Sequence, residues 1–483
     1  MSEQELLDDL ADRCGIAPDY HDIWGHRHEV SAQTKRAILT AMGLRVATVD
    51  DLRRELCAYE EESWRCPCDP VLVRRVDDRA ATWSFRLSIE DAEDHDVRIG
   101  WEVRDEADCL QQKGEIGPGL VPAEARPVGG RRYVRFELPI PPGLAIGYYD
   151  LVARSQVSSG TVEGTLRLIL VPSQCYVPPK LQEGGRTWGL ALQLYALRSC
   201  RNWGVGDFLD LAGFVDWAAQ DLGVGVIGLN PLHALRNEPP YHISPYSPDS
   251  RLFLNVLYVA VEEIPELKES VPAQRLLEDG GFRARLEAFR KTDLVEYDQV
   301  YAAKREILTL LFATFQERHL ADRGGAQQPK TERGLAFERY VRKEGELLEH
   351  FALFQALSEE LRSVHPQAGG WQDWPEPYRD PKSAAVASFR ATHAAPIRFH
   401  QYLQWLADEQ LGRVAAGARE HGMTVGLYHD LALGSDRSGS DAWAFQDVLA
   451  LEADSGCPPD AFAPEGQNWG LPPFNPRRLR ASG

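Results

Sequence analysis

A proline-rich stretch near the middle of the chain carries hydroxyl groups and aromatic rings at close spacing. It reads Pro239-Pro-Tyr-His-Ile-Ser-Pro-Tyr-Ser-Pro248, so Ser244 and Tyr246 stand among four prolines. Prolines fix the backbone, and a loop stiffened in this way can present side chains to a ligand with little loss of conformational entropy. A purely structural turn is the alternative interpretation of these residues.

A second group of polar and aromatic side chains lies further along the chain. Asp430 occurs in Tyr-His-Asp-Leu at the end of an apolar stretch, and Asp460, Gln467 and Trp469 follow in turn-rich sequence. Carboxylates and amides can hydrogen-bond hydroxyl groups, and the flat face of an indole can stack on a sugar ring. This combination is typical of a carbohydrate site. From the local sequence pattern alone, Asp430 is the candidate for a catalytic carboxylate. An aspartate that only caps a loop is the alternative.

The sequence does not indicate other kinds of site. His233, His242 and His429 lack the i, i+4 spacing of a metal site, and the cysteine pair Cys66 and Cys68 has no second pair, so we predict no metal. The chain contains no GxSxG or GxxxxGKS/T motif, which argues against a nucleophile elbow and a phosphate loop, and Gly204-Val-Gly206 does not continue into a GxGxxG dinucleotide motif. Of the kinds of site considered, a carbohydrate site remains.

The composition is that of a large acidic protein. The 483 residues include 72 acidic and 53 basic side chains, a formal net charge of −19, and such a surface repels nucleic-acid phosphates and anionic lipid headgroups. We therefore expect neither nucleic acid nor membrane as a partner. The N-terminus does not resemble a signal peptide, no stretch is long and apolar enough to span a membrane, and the eight cysteines are scattered. These features predict a cytoplasmic protein with reduced thiols.

The hydrophobic pattern divides the chain into three parts, as its length leads one to expect. Residues 1–58 follow a helical period, with Ser31 as a helix N-cap and Gly43 as a stop. Residues 66–172 alternate with a period of two between turn-rich segments, which predicts an antiparallel β-sandwich. A stiff proline linker then leads into the third part, residues 180–483.

The third part opens with a strand–helix–strand pattern. Apolar strands are predicted at 188–194 and 224–230, around an amphipathic helix at 207–222. A later helix leads into a further strand at 424–433, and the intervening residues from about 256 to 398 are predicted to be a mostly helical insertion. Functional groups of α/β folds lie in the loops after the C-terminal ends of such strands.

Four motifs occur in a fixed order along this third part. They are Asn202-Trp-Gly-Val-Gly-Asp207, Ser244-Pro-Tyr-Ser-Pro-Asp-Ser-Arg251 with Asn255, Pro458-Pro-Asp-Ala-Phe462 and Gly466-Gln-Asn-Trp-Gly470. Together they resemble the 4-alpha-glucanotransferases, also called amylomaltases or disproportionating enzymes. The resemblance runs over the whole chain, because the helical start and the sandwich look like the extension of longer bacterial members, which Asp22-Ile-Trp-Gly25 fits.

The resemblance implies a multidomain α/β fold. An N-terminal helical segment and a β-sandwich would precede the first part of a (β/α)8 TIM-type barrel with large helical insertions. The family moves α-1,4-glucan segments from a maltooligosaccharide donor to the 4-hydroxyl of an acceptor sugar, by retaining double displacement and without a cofactor.

The resemblance also implies roles for individual residues. Ser244 and Tyr246 would line the donor side, Asp430 would hold a glucose hydroxyl, and Trp469 would pack against a sugar ring. A covering loop that excludes water looks similar to Pro458 to Gly470. The loop residues Pro459, Asp460 and Gln467 would shape this segment.

The chain departs from the family at its catalytic carboxylates. The nucleophile motif arginine-x-aspartate-histidine, the acid/base glutamate and the stabilising aspartate do not occur before Gly483. We therefore assign Asp430 to binding and expect no catalytic residue in this chain. The prediction is a truncated or split enzyme, inactive alone and dependent on a complementary C-terminal polypeptide. A non-catalytic maltooligosaccharide-binding protein and an α-glucan hydrolase are the alternatives.

Overall fold

The computed structural model describes residues 1–78, 80–89, 97–158, 160–238, 243–323, 326–366 and 368–483. Pro239, Pro240, Tyr241 and His242 of the proline-rich stretch lie outside the described residues. The chain forms two compact units. Unit 1 contains residues 1–176, 447–468 and 473–483, and unit 2 contains residues 177–446 and 469–472.

Unit 1 begins with three capped helices and a short hairpin. These elements are α1 (Glu3–Arg13), β1 (Asp19–His21), β2 (Arg27–Glu29), α2 (Ala32–Ala41) and α3 (Val49–Arg65). Ser2, Ser31 and Thr48 each accept a hydrogen bond from an amide of the first helical turn, which confirms Ser31 as an N-cap. Gly43 follows α2 with a φ of +86°, a left-handed conformation that favours glycine, so the predicted stop is also confirmed.

A β-sandwich follows the helices. Its strands are β3 (Val71–Arg75), β4 (Thr82–Ser88), β5 (Ile99–Asp105), β6 (Leu110–Ile116), β7 (Glu124–Val128), β8 (Arg131–Pro139), β9 (Gly147–Val157) and β10 (Gly160–Val171). One sheet has the order β3-β10-β9-β5-β6 and the other has the order β4-β8-β7. Alternating residues of both sheets, such as Phe85, Phe136 and Leu168, form the shared core. The predicted sandwich is confirmed, but not every strand pair is antiparallel. Strand β3 pairs with β10 in parallel, which is possible because six other strands separate the two along the chain.

Unit 2 combines parallel strands with many helices. Its elements are β11 (Gly189–Leu192), α4 (Phe208–Leu222), β12 (Val226–Leu229), β13 (His233–Ala234), β14 (Ser250–Leu254), α5 (Val271–Glu278), α6 (Gly280–Lys291), α7 (Tyr297–His319), β15 (Leu320–Arg323), β16 (Ala326–Pro329), α8 (Glu332–Val364), α9 (Glu376–Arg379), α10 (Ala384–Thr392), α11 (Ala394–Glu420), β17 (Gly426–His429) and α12 (Ser440–Ala444). Helices α5 to α10 lie within the predicted insertion, residues 256 to 398, whereas α11 extends beyond it.

The parallel sheet of unit 2 has the strand order β11-β12-β17. Each neighbouring pair is parallel, and the helices α4 and α11 form the connections that parallel pairing requires. Asp207 caps the N-terminus of α4, and Gly223 ends it in a left-handed conformation with a φ of +65°. The predicted multidomain α/β class, with a sandwich ahead of these strands, is therefore confirmed.

A buried ionic cluster joins α8, α11 and the segment before α5. Glu266 is 0% exposed, and its carboxylate accepts hydrogen bonds from Nε of Arg333 at 2.7 Å and from the hydroxyl of Tyr402 at 3.1 Å. Arg333 also donates to Glu409 at 2.9 Å and lies over the ring of Trp405, 4.1 Å from its centroid. The guanidinium thus compensates a carboxylate that has no contact with solvent.

The last segments of the chain pack within unit 1. They are β18 (Gly456–Cys457), β19 (Gln467–Asn468) and α13 (Pro476–Ala481). Nδ2 of Asn475 donates to the carbonyl of Met42 at 2.9 Å, and Arg477 pairs with Glu62 at 2.6 Å. Sequence patterns group these residues with the third part of the chain, because local periodicity carries no information on long-range packing. The three-part domain division stays a prediction.

Candidate functional site

The C-terminal end of the parallel sheet brings Tyr246 next to Asp430. Asp430 directly follows β17, whereas Tyr246 lies in the loop between β13 and β14. Loss of solvent around the phenol, together with the negative charge of the Asp430 carboxylate that it contacts, raises the pKa of Tyr246. Tyr246 nevertheless keeps 52% of its surface exposed, so the pair is open to a ligand.

Ser244 shapes the turn that carries Tyr246. Its Oγ accepts a hydrogen bond from the amide of Tyr246 at 3.4 Å, and its carbonyl accepts one from the amide of Ser247 at 3.2 Å. A serine that bonds the backbone two residues on is a common stabiliser of tight turns. The predicted contact of Ser244 with sugar stays a prediction.

Two side chains to which the sequence assigned no site role hold the segment after Asp430. Nη1 of Arg251 donates to the carbonyls of Ala432 at 3.0 Å and of Leu433 at 2.9 Å. Nε2 of His233 accepts a hydrogen bond from the amide of Ala432 at 3.2 Å. In the sequence, His233 is only a histidine without metal-ligand spacing and Arg251 is only the end of a motif, because neither spacing nor periodicity reports such a contact.

A buried and a partly buried carboxylate, those of Asp249 and Asp441, support the residues around the start of β14. Asp249 is 4% exposed and accepts a hydrogen bond from Nε2 of Gln355 at 2.6 Å. Asp441 accepts from the hydroxyl of Ser250 at 2.6 Å and from the amide of Arg251 at 2.8 Å. Burial raises the pKa of Asp249 to about 6 and also raises the pKa of Asp441. Asp249, the acidic residue of the Ser-Pro-Asp-Ser-Arg motif, thus contacts α8, whereas Asp441 holds the start of β14.

Replacing Asp249 by asparagine is expected to change how the stability of the protein depends on pH. Because the folded pKa of about 6 exceeds the unfolded value of about 3.9, the folded state binds the proton more tightly. The resulting stabilisation is fully present below about pH 4 and is lost as the pH rises through about 6. Urea titrations between about pH 4 and pH 8 should show this loss in the wild type and a smaller one in Asp249→Asn.

The asparagine variant retains an acceptor oxygen for Gln355, and Asp441 titrates in both proteins, so their difference isolates Asp249. The exposed carboxylate of Asp221 offers the matched control Asp221→Asn. Identical pH dependence of the free energy of unfolding in wild type and Asp249→Asn would contradict the raised pKa.

Trp469 belongs to unit 2 together with residues 470–472, although the segments before and after these four residues belong to unit 1. A Cβ atom built on Gly434 would lie 3.1 Å from Cβ of Leu471, so the segment 469–472 packs on the loop that follows Asp430. The indole of Trp469 is 41% exposed. The structure thus places Tyr246, Asp430 and Trp469 in one unit, and the sugar contact of each stays a prediction.

The predicted covering-loop residues Pro459, Asp460 and Gln467 lie in unit 1. Oδ1 of Asp460 accepts hydrogen bonds from the amides of Phe462 and Ala463, both at 2.7 Å. Nε2 of Gln467 reaches the other carboxylate oxygen of Asp460 at 3.5 Å. Asp460 therefore organises the turn, and Phe462, which is 97% exposed, stands at its surface.

The described part of the chain offers neither a cluster of metal ligands nor a membrane-spanning helix. Within it, no three histidine, cysteine, aspartate or glutamate side chains converge in an arrangement suited to a metal ion. Over the same residues, no helix combines the length and apolar character needed to cross a membrane. Burial raises the pKa of the Cys68 thiol to about 12, so this member of the cysteine pair remains protonated at neutral pH.

Comparison with known proteins relates both parts of the chain to one enzyme family. The family model described as 4-alpha-glucanotransferase matches residues 192–483, and the model described as MalQ N-terminal beta sandwich domain matches residues 67–172. The 4-alpha-glucanotransferase of Mycobacterium tuberculosis is 34% identical over 480 residues, which cover 98% of this chain and 61% of the relative. That of Haemophilus influenzae is 32% identical over 489 residues, covering 100% of this chain and 62% of the relative.

A solved structure is similar over nearly the same extent. The amylomaltase from Corynebacterium glutamicum superposes with a TM-score of 0.79 and 28% sequence identity, covering 99% of this chain and 62% of that chain. The chain therefore spans about three fifths of the length of the relatives that it matches.

Proposed function

The chain belongs to the 4-alpha-glucanotransferase family, and from that membership we propose that it forms the sugar-binding front part of such an enzyme. The reaction would transfer a segment of α-1,4-glucan from a maltooligosaccharide donor to the 4-hydroxyl of an acceptor sugar. The observation that carries the proposal is the exposed Tyr246 phenol beside the Asp430 carboxylate at the C-terminal end of a parallel sheet. This edge of the sheet is where α/β enzymes bind their substrates.

The chemistry of the pair suits a glucose unit. A carboxylate accepts charge-assisted hydrogen bonds from sugar hydroxyls, and a phenol offers both a hydroxyl and an apolar ring face. Ser244 would complete the polar wall on the donor side, and the half-exposed indole of Trp469 would stack on a sugar ring. Pro459, Asp460 and Gln467 would form a covering loop that keeps water away from the reacting bond.

The reaction would proceed by retaining double displacement. One carboxylate attacks the anomeric carbon, a protonated partner about 5 Å away releases the leaving sugar, and the acceptor hydroxyl then takes the place of water. We assign these carboxylates to the part of the family's longer members that the match with this chain does not cover. The protein would act in the cytoplasm on soluble glucans, without nucleic acid or membrane as partner.

The test is incubation of the 483-residue chain with maltotriose, alone and with a complementary C-terminal polypeptide of the family. The expected products of the complemented protein are glucose and longer maltooligosaccharides with an unchanged number of reducing ends. A rise in reducing ends would identify a hydrolase instead. Binding of maltoheptaose without any turnover, even after complementation, would identify a binding protein, and absence of binding would overturn the proposal.

Replacing Trp469 by alanine is expected to weaken maltoheptaose binding about 5- to 10-fold, because a stacked aromatic ring contributes on the order of 1 kcal/mol. Isothermal titration calorimetry measures the change. Trp217 on α4 is similarly exposed, at 47% against 41% for Trp469, so Trp217→Ala is the matched control and should bind like the wild type. Equal affinities of the two variants would refute the assignment of Trp469.

A further inference from the structure

Side chains hold the short segment that follows Asp430. Ala432 is 1% exposed, whereas Leu431 and Leu433 on either side are 67% and 62% exposed. Buried backbone groups need hydrogen-bond partners. The amide of Ala432 finds one in Nε2 of His233 at 3.2 Å, and its carbonyl finds one in Nη1 of Arg251 at 3.0 Å. The backbone at Ala432 is therefore held from both of its polar groups.

The contact with Ala432 fixes the protonation state of His233. An amide can only donate, so Nε2 must carry no proton and the ring proton must reside on Nδ1. The charged and titratable groups that face His233 are Arg251, Asp430 and His429. Burial and the positive charge of Arg251 outweigh the attraction of Asp430 and lower the pKa of His233 to about 4. The acceptor state is thus the stable one at neutral pH.

Arg251 reaches the segment from a rigid support. Its amide donates to Asp441 at 2.8 Å, and the hydroxyl of the preceding Ser250 donates to the same carboxylate at 2.6 Å. Ser250 is 0% exposed. The guanidinium therefore extends from a backbone that is itself anchored, and it can hold the carbonyls of Ala432 and Leu433 in a fixed position.

We propose that His233 and Arg251 are positioning residues for Asp430. By holding the amide and carbonyl of Ala432, they fix the backbone two residues beyond Asp430 and so keep its carboxylate beside the Tyr246 phenol. The role in sugar binding rests on the proposed function, whereas the hydrogen bond between His233 and Ala432 can be tested without a sugar. A protonated His233 would present an N–H to the amide of Ala432, and the segment would be released.

Two variants of His233 distinguish the effect of its hydrogen-bond acceptor from the effect of its ring. His233→Phe retains a ring but has no acceptor, and we expect it to weaken maltoheptaose binding at pH 7 about 10-fold. His233→Gln keeps an acceptor oxygen that does not titrate, and we expect affinity within about 3-fold of the wild type, since most of the interaction is retained. Calorimetric titrations of the 483-residue chain measure both variants.

The pH dependence of maltoheptaose affinity distinguishes the proposed role of His233 from a merely structural role, which would not change it. From about pH 7 down to pH 4, the wild type should lose more affinity than His233→Gln, because only the wild type protonates at this position. A loss of affinity that both proteins share does not come from protonation of His233. Superimposable pH profiles, or wild-type affinity in His233→Phe, would overturn the proposal.

A sugar-independent measurement accompanies these titrations. Nitrogen-15 spectra of the histidine-labelled wild type, assigned by difference from His233→Gln, should show an unprotonated Nε2 and a protonated Nδ1 at pH 7. A proton on Nε2 would overturn the proposal even if the sugar binds. If the wild type does not bind maltoheptaose, the proposed function fails, and the spectra still decide whether His233 accepts from Ala432.

Discussion

Replacing Asp430 by asparagine is expected to weaken maltoheptaose binding about 10- to 100-fold. A hydrogen bond to a charged group contributes about 1.5–3 kcal/mol, which corresponds to this factor in Kd. Asparagine has nearly the same shape, but it loses the negative charge and replaces one acceptor oxygen with a donor. Isothermal titration calorimetry at pH 7 measures the change.

The control uses a carboxylate away from the site. Asp221 at the end of α4 is exposed, and Asp221→Asn should bind like the wild type. A double-mutant cycle with Tyr246→Phe tests whether the two side chains act together, because residues in contact give non-additive changes. Strict additivity would separate Tyr246 from Asp430, and equal Kd values for Asp430→Asn and Asp221→Asn would exclude Asp430 from the sugar site.

Replacing Arg333 by methionine is expected to lower the free energy of unfolding by about 3–5 kcal/mol. Glu266 is 0% exposed, and removal of its partner leaves a charge that neither solvent nor another cation compensates at the same distance. The variant also loses the contact between the guanidinium and Trp405. Differential scanning calorimetry should show the corresponding transition lowered by roughly 10 °C, given about 2–4 °C per kcal/mol for folding units of this size.

Two further variants test whether the stability lost in Arg333→Met comes from the buried charge of Glu266. Arg413 pairs with Glu263 at 3.6 Å, with both side chains more than two fifths exposed, so Arg413→Met should cost at most about 1 kcal/mol. The double variant Arg333→Met with Glu266→Gln should recover part of the loss, because a neutral amide is less costly to bury than a carboxylate. If Arg333→Met were no less stable than Arg413→Met, the cluster would have no role in stability.

Local signals account for the parts of the fold that sequence analysis predicted correctly. Ser31 and Asp207 cap helices because their side chains satisfy amides within three residues. Gly223 ends α4 because its left-handed φ of +65° suits glycine. The alternation around Phe85 and Phe136 reports the two faces of a strand. Each of these signals is complete within a few residues, so the sequence displays it directly.

The site could be predicted only as a set of residue types. Tyr246 and Asp430 were both recognisable as candidates, and their proximity depends on the parallel pairing of β12 with β17. The parallel pairing of β3 with β10 could not be predicted either. Pairing between strands that are distant in sequence does not change the hydrophobic period of either strand.

By itself, the sequence determined the capped helices, the alternating strands, the acidic charge and the motifs that relate this chain to its family. Only the tertiary structure decided that His233 and Arg251 hold the segment after Asp430, since Arg251 and Ala432 are 181 residues apart. Capping and periodicity are energetic preferences of neighbouring residues, and they can be read along the chain. A contact between distant loops exists only after the strands that carry them have paired, so its geometry is a property of the folded molecule.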